Sequence, residues 1–353
     1  MSFAFFGQTR QYMYEHPPLL EELRWMIALL ETKMDIRFKR GYNPRARCPR
    51  LNTDPVHAVH HPFIFYMGVL ALDAITKAVL YLAGFSRYGR EARDLLHLTS
   101  TALLPAWELE EEDVYHQDSK SPKVAYWYRQ GSVDQHPIVF IHGLGCGIFP
   151  YLNFIRKLLT TRSSVFLVEL PHVSMRMQAR APTVPATIRE MEDALTQHGY
   201  ARAVWVGHSL GSTIVAGACR LAPKRVQGAV FLDPVCFLLN HHPVVYNFLY
   251  RPVVTAPQLF IRYFAASELF ISRYISRQLH WYHAIGWASM LPKNASVFLA
   301  EDDVVVPSAQ VEHYLKQHGV DCHLMKELGH SRFLATPEWE NKVVESVTAF
   351  VSK

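Results

Sequence analysis

Residues 203–211 read Ala203-Val204-Trp205-Val206-Gly207-His208-Ser209-Leu210-Gly211. Four apolar residues make a buried strand and the segment after Gly211 suits a helix, so Ser209 falls on a strand-to-helix turn. Such a turn holds its serine at strained backbone angles; small residues two before and two after let it close while the hydroxyl stands clear of the sheet. The following helix directs its first NH groups at any oxyanion that develops beside the serine. A bare Gly-x-Ser-x-Gly carries little weight, but with a strand before and a helix after it, Ser209 becomes the candidate nucleophile.

A serine hydroxyl needs a base, and the base needs a third group to orient it. Nineteen histidines make any one of them a poor choice by identity alone. His330, in Leu328-Gly329-His330-Ser331, is selected by position, because it follows the last predicted strand. Asp303 follows Ser296-Val297-Phe298-Leu299-Ala300, again at the carboxyl end of a strand, where open α/β sheets collect their functional residues. Asp302 is its neighbour and competitor. Asp233 is a second competitor, since it ends the run Ala229-Val230-Phe231-Leu232, although Pro234 follows at once and the carboxylate can equally fix a turn.

Upstream, Ile138-Val139-Phe140-Ile141 runs into His142-Gly143-Leu144-Gly145-Cys146-Gly147. A phosphate-binding loop would need Lys and Ser or Thr after its glycines, and a dinucleotide fingerprint needs another glycine spacing. The remaining use for this backbone is an oxyanion hole, with the NH of Leu144 joining that of Leu210. His142 is read as orienting this loop. This chemistry calls for no cofactor, and no cluster of ligands asks for a metal.

From residue 124 short apolar runs alternate with helical patterns, which predicts an α/β fold with a mostly parallel central sheet covered by helices on both faces. The predicted strands are 125–128, 138–142, 165–169, 203–207, 228–232, 296–300 and 322–326; the predicted helices are 186–198, 212–221, 308–318 and 338–351. Residues 235–290 break the rhythm with aromatic and apolar side chains, and their length suits a helical cap inserted between two strands.

The N-terminal part has a different character. Leu19, Leu20, Leu23, Met26, Ile27, Leu30 and Met34 follow helical spacing after Pro17-Pro18 and predict a helix over 19–40. Arg37, Lys39, Arg40, Arg45, Arg47 and Arg50, interrupted by Gly41, Pro44 and Pro49, form a basic loop. Residues 63–85 are almost continuously apolar and as long as a bilayer span, but Asp73, Thr76 and Lys77 interrupt them. Spanning a membrane, lying on one, and burial against the rest of the chain are the three readings. The acidic run Glu108, Glu110, Glu111, Glu112 and Asp113 separates this region from the α/β rhythm. The division is therefore an N-terminal helical extension over 1–113 and a catalytic unit over 124–353 with its cap at 235–290.

Composition sets limits. Half of the residues are hydrophobic and 19% are charged, with a net charge of +5 spread along the chain. That balance describes a globular chain and gives no argument for a nucleic-acid partner. Five scattered cysteines suggest reduced thiols in an intracellular compartment, with or without membrane association, and Met1-Ser2-Phe3-Ala4 offers no basic start to a secretory signal.

Together the Gly-His-Ser-x-Gly elbow, the earlier His-Gly-x-Gly loop, the late Asp-x-x-Val-Pro and the terminal Gly-His resemble the α/β-hydrolase superfamily over roughly residues 124–353. The order Ser209, Asp303, His330 matches that family. In it the acid stands four residues before the proline, which favours Asp303 over Asp302. The segment from Leu232 to Tyr250 resembles uncharacterised fungal-type members with an N-terminal hydrophobic extension. The resemblance implies a serine hydrolase, and the aromatic cap an apolar, small-molecule carboxylic ester. The same triad also serves acyl transfer, thioester cleavage and carbon–carbon hydrolysis, and a non-catalytic binding protein on this fold is the reading from another class.

Overall fold

A computed structural model of the protein describes residues 6, 8–39, 41, 49–51, 54–89, 124–178 and 180–352. The acidic run at 108–113, with the boundary drawn there, lies outside the described residues, as do parts of the basic loop. Among the described residues, eight strands form one sheet: β1 (Ser86–Tyr88), β2 (Tyr126–Arg129), β3 (Ile138–Ile141), β4 (Val165–Val168), β5 (Ala203–His208), β6 (Val226–Leu232), β7 (Ala295–Ala300) and β8 (Asp321–Met325). Their order is β1-β2-β4-β3-β5-β6-β7-β8. β2 runs antiparallel to both β1 and β4, and the others run parallel.

All seven predicted strands are present, with ends shifted by one or two residues. Their continuous apolar runs reflect burial on both faces, as parallel sheets require. Successive side chains point to opposite faces, and two cores result. Val139, Ile141, Phe166, Val168, Trp205 and Phe231 lie on one face; that core also takes in residues of α5 (Val184–Gln197), α6 (Gly211–Leu221) and α9 (Ser308–Gln317). Ile138, Phe140, Leu167, Val206 and Leu232 lie on the other, against α4 (Leu152–Leu158) and α10 (Pro337–Val351). The helix α4 and the three-residue β1 were not predicted, since neither is long enough to establish a period. β1 comes from the chain before residue 113, yet it pairs with β2 as the edge of the sheet.

Between β6 and β7 the excursion is helical, including α7 (Ala256–Ile261) and α8 (Leu269–Arg277). Thr255 and Gln258 form a reciprocal capping box at the start of α7. Among the described residues the N-terminal helices are α1 (Arg10–Glu15), α2 (Pro17–Met34) and α3 (Phe63–Leu82). α2 stops short of the predicted residue 40 because Asp35 turns left-handed at φ 49° and its NH bonds back to the Glu31 carbonyl.

α3 is long and apolar enough to cross a membrane by length and composition. One stripe of it, Val69, Thr76 and Leu80, is buried. On the same side Asp73 pairs with Lys77 at 2.8 Å and with Arg176 of the body. Arg176 also reaches Glu169 at 3.3 Å, where Arg87 at 3.1 Å and the Trp127 indole NH at 2.5 Å converge. Burial alone would raise the Glu169 pKa, but the two guanidinium groups hold it down at about 2. Of the polar residues that interrupt the apolar run, Asp73 is thus the one that ties α3 to the rest of the protein, through Arg176, while Lys77 and Thr76 bond within the helix.

Candidate active site

The parallel register brings the carboxyl ends of β3, β5, β6 and β7 to one edge, and each candidate residue sits just beyond one of these ends or in the loop after β8. Ser209 has φ +50°, the strained angle that the elbow demands. The flanking glycines are required by contact. A Cβ on Gly207 would lie 2.6 Å from Val215 Cγ2, and one on Gly211 would lie 2.3 Å from the Ile141 carbonyl oxygen. The turn closes because the next helix approaches both strands too closely for any side chain there.

His330 Nε2 lies 2.9 Å from Ser209 Oγ, and its Nδ1 lies 2.6 Å from Asp303 Oδ2. The other oxygen of Asp303 accepts from the NH groups of Val305 and Val306 at 2.7 and 2.9 Å, which fixes the carboxylate and leaves Oδ2 for the ring. Nδ1 therefore donates to Asp303 and Nε2 accepts from the serine hydroxyl, the arrangement of a general base. Burial alone would lower the His330 pKa. The charge and hydrogen bond of Asp303, with the more distant Asp233, raise it instead to about 9. Asp302 is exposed, and its backbone NH bonds to the Leu328 carbonyl at 2.9 Å.

Asp233 is fully buried at φ +42°. Its oxygens accept from the NH of Ala300 and the NH of Ser331, each at 2.8 Å. It thereby joins the end of β7 to the loop that carries His330. Asp233, Asp303 and His330 bring ligand-type atoms within 4.8 Å of one another, and each of the four carboxylate oxygens accepts from a backbone NH or faces the ring.

Leu144 and Leu210 both line the cavity beside Ser209. Among the described residues, neither NH donates to a protein acceptor, which leaves both available. His142 accepts from the Leu170 NH through Nε2 at 3.1 Å and donates from Nδ1 to the Gly143 carbonyl at 2.8 Å. Burial lowers its pKa to about 4, so it is neutral and holds the loop.

Three partners in this region escaped the sequence. The Gly143 NH donates to Tyr151 Oη at 3.0 Å, and Tyr151 donates to His208 Nδ1 at 2.6 Å. His208 Nε2 faces Ser331 Oγ at 3.2 Å. Burial depresses the His208 pKa despite Asp233 at 3.8 Å. One chain of hydrogen bonds therefore links the Gly143 loop, the elbow and the His330 loop. Tyr151 carried no signal of spacing, and His208 stood in the elbow motif without a role of its own being read from it.

The cavity that contains Ser209 has a volume of about 1090 Å³, just above the range usual for small-molecule sites, about 300–1,000 Å³. Its walls are largely apolar, with Leu239, Val244, Phe248, Phe264 and Ile275 from the excursion and Leu51 from the N-terminal segment. Arg277 holds that segment in place through the Leu51 carbonyl at 2.8 Å.

Comparison with known proteins follows the same lines. The model of the alpha/beta hydrolase family matches residues 138–342. Esterase YbfF of Escherichia coli (strain K12) is 25% identical over 122 residues, 33% of this chain and 48% of that protein, so the chain spans about half the length of this relative. Among solved structures, carboxylesterase CesB of Bacillus subtilis aligns with a TM-score of 0.49 and 15% identity over 80% of this chain and 98% of the other. A putative aryl esterase from Burkholderia cenocepacia aligns at 0.48 and 18% over 65% and 96%. The elbow, the sheet and the family model, which covers more than half of the sequence, agree: the chain belongs to the alpha/beta hydrolase family.

Proposed function

We propose that this protein is a serine hydrolase that cleaves carboxylic esters with an apolar acyl or alcohol group. The observation that carries the reading is the continuous hydrogen-bond chain from Ser209 Oγ through His330 to Asp303, at 2.9 and 2.6 Å. Ser209 attacks the ester carbonyl as His330 Nε2 takes its proton. The oxyanion is received by the NH groups of Leu144 and Leu210, and His330 returns the proton to the departing alcohol. Water, activated by the same ring, then releases the acid from the acyl-enzyme. Asp303 holds the imidazole in the required tautomer and stabilises its positive charge.

Residues 124–353 form the catalytic unit in this reading, and 235–290 cap its cavity. The extension over 1–113 closes one wall with Leu51, adds a strand to the sheet, and offers the outer side of α3 to a membrane. The apolar lining supports an acyl chain of some length. A series of p-nitrophenyl esters tests this: kcat/KM is expected to rise from acetate to octanoate, and the corresponding amide is expected to resist. A rate that is highest for acetate and falls steadily with chain length would contradict the apolar substrate.

A further inference from the structure

α3 is distributed the wrong way round for a helix that faces water. Within Phe63–Leu82 every exposed position is Phe, Ile, Met, Gly, Leu, Ala, Val or Tyr, whereas Thr76 is buried, and Asp73 and Lys77 are partly buried and paired with each other. Ile64, Ile75 and Leu82 are 76, 51 and 89% exposed. A helix on the surface of a globular protein turns its apolar stripe inward and its polar face to solvent, and a contiguous apolar surface of this size marks a contact with something else. Twenty residues extend about 30 Å.

The end of α3 nearest the cavity continues this surface into the cavity mouth. Phe65 stands against Phe264 with ring centroids 6.0 Å apart, and Phe264 against Phe260 at 4.6 Å. Phe264 and Phe260 both line the cavity that holds Ser209, and Phe260 is 63% exposed. Leu259 and Val254 stand exposed close by in sequence. The junction is fixed by polar contacts. His61 Nε2 is 3.0 Å from the Tyr263 carbonyl, the Val59 NH donates to the Ser267 carbonyl at 2.7 Å, and the Tyr66 hydroxyl donates to Glu268 at 3.0 Å.

We propose that the outer face of α3 and the Phe260 rim seat the protein on one leaflet of a lipid bilayer, so that the substrate is a long-chain ester lipid passing from the bilayer into the cavity. This rests on the ester-hydrolase reading for the chemistry, but the seating is independent of it. The pairing of Asp73 with Arg176 and Lys77 decides between crossing and lying flat. A crossing helix would have to take Asp73 into hydrocarbon away from Arg176, whereas a helix lying in the interface keeps the pair and immerses only apolar side chains. Continuity with the cavity favours a bilayer over a second copy of the chain, because a lipid fits both the flat face and the opening beside it.

The test uses the full-length protein with phosphatidylcholine vesicles that carry a fluorogenic oleoyl ester, and a soluble butyrate ester as control. The wild-type protein is expected to float with the vesicles. The triple variant Ile64→Glu, Met67→Glu, Ile75→Glu is expected to stay behind and to lose at least about 10-fold in rate on the vesicle-borne ester, while its butyrate rate stays within about twofold. None of the three side chains lines the cavity. Retention of the vesicle-borne rate by the folded variant overturns the proposal. So does a wild type that stays off vesicles, including one that forms a dimer dissolved by the triple variant. As a second measurement that puts no charge on the helix, Ile75→Trp in a Ser209→Ala background is expected to be quenched by brominated phosphatidylcholine; absence of quenching overturns the proposal too. Because that protein need not turn over, the result stands even if the ester-hydrolase reading fails.

Discussion

Replacement of Ser209 by alanine is expected to lower ester turnover by about 10⁶-fold, the scale of loss when a triad nucleophile is removed. The fold should survive. The hydroxyl's partner is His330 Nε2, whereas the backbone contacts of the elbow remain: the Ser209 NH to the Leu232 carbonyl at 2.9 Å, and its carbonyl to the Ser212 NH at 3.0 Å. Alanine also keeps the Cβ, so the strain at φ +50° is unchanged. His330→Ala is expected to be about as inactive but less stable, since the buried Asp303 carboxylate loses one of its three donors. Steady-state kinetics beside thermal unfolding separates the two effects, and a Ser209→Ala protein that is folded and retains most of its activity would remove the proposed mechanism.

The second large effect concerns the acid. In Asp303→Asn the amide oxygen must remain on the NH groups of Val305 and Val306, so its NH₂ turns to His330. The ring then accepts at Nδ1 and carries its proton on Nε2, where it can no longer receive one from Ser209. Turnover should fall by up to about 10⁴-fold with little change in substrate binding. The pH profile supplies a separate readout. His330 serves as base only when neutral, so kcat/KM rises with pH through its pKa, which Asp303 helps to raise to about 9. Without that charge the residual activity should reach its plateau at lower pH.

Asp233→Asn should behave differently. Both its oxygens accept backbone NH groups, from Ala300 and Ser331, so an amide must set its NH₂ against one of them. A stability loss of about 1–3 kcal/mol is expected, with a smaller loss of turnover as the His330 loop loosens. If the two kinetic profiles are reversed in folded proteins, the acid is Asp233.

The sheet was legible because fully buried parallel strands are written as short unbroken apolar runs, and the elbow because its two glycines are imposed by direct contact with neighbouring chain. Asp303 was distinguishable from Asp302 only through the spacing to Pro307; in space the two differ plainly, one buried on the ring and the other exposed. The interior network of Tyr151, His208 and Ser331 was not legible, because its members are brought together from a helical turn, the end of β5 and the loop that carries His330, and each has an ordinary place in the sequence. The same holds for α3. Its charges looked like interruptions of an apolar run, and their role emerges only when Arg176, about a hundred residues later, is found against Asp73.

The reactivity of one hydroxyl tests the central claim most directly. The full-length protein, treated with a fluorophosphonate at neutral pH and digested, should carry a single stoichiometric adduct on Ser209, with labelling abolished in Ser209→Ala and slowed by orders of magnitude in His330→Ala. A native protein that remains unlabelled, or an adduct on any other residue with Ser209 unmodified, would contradict the account.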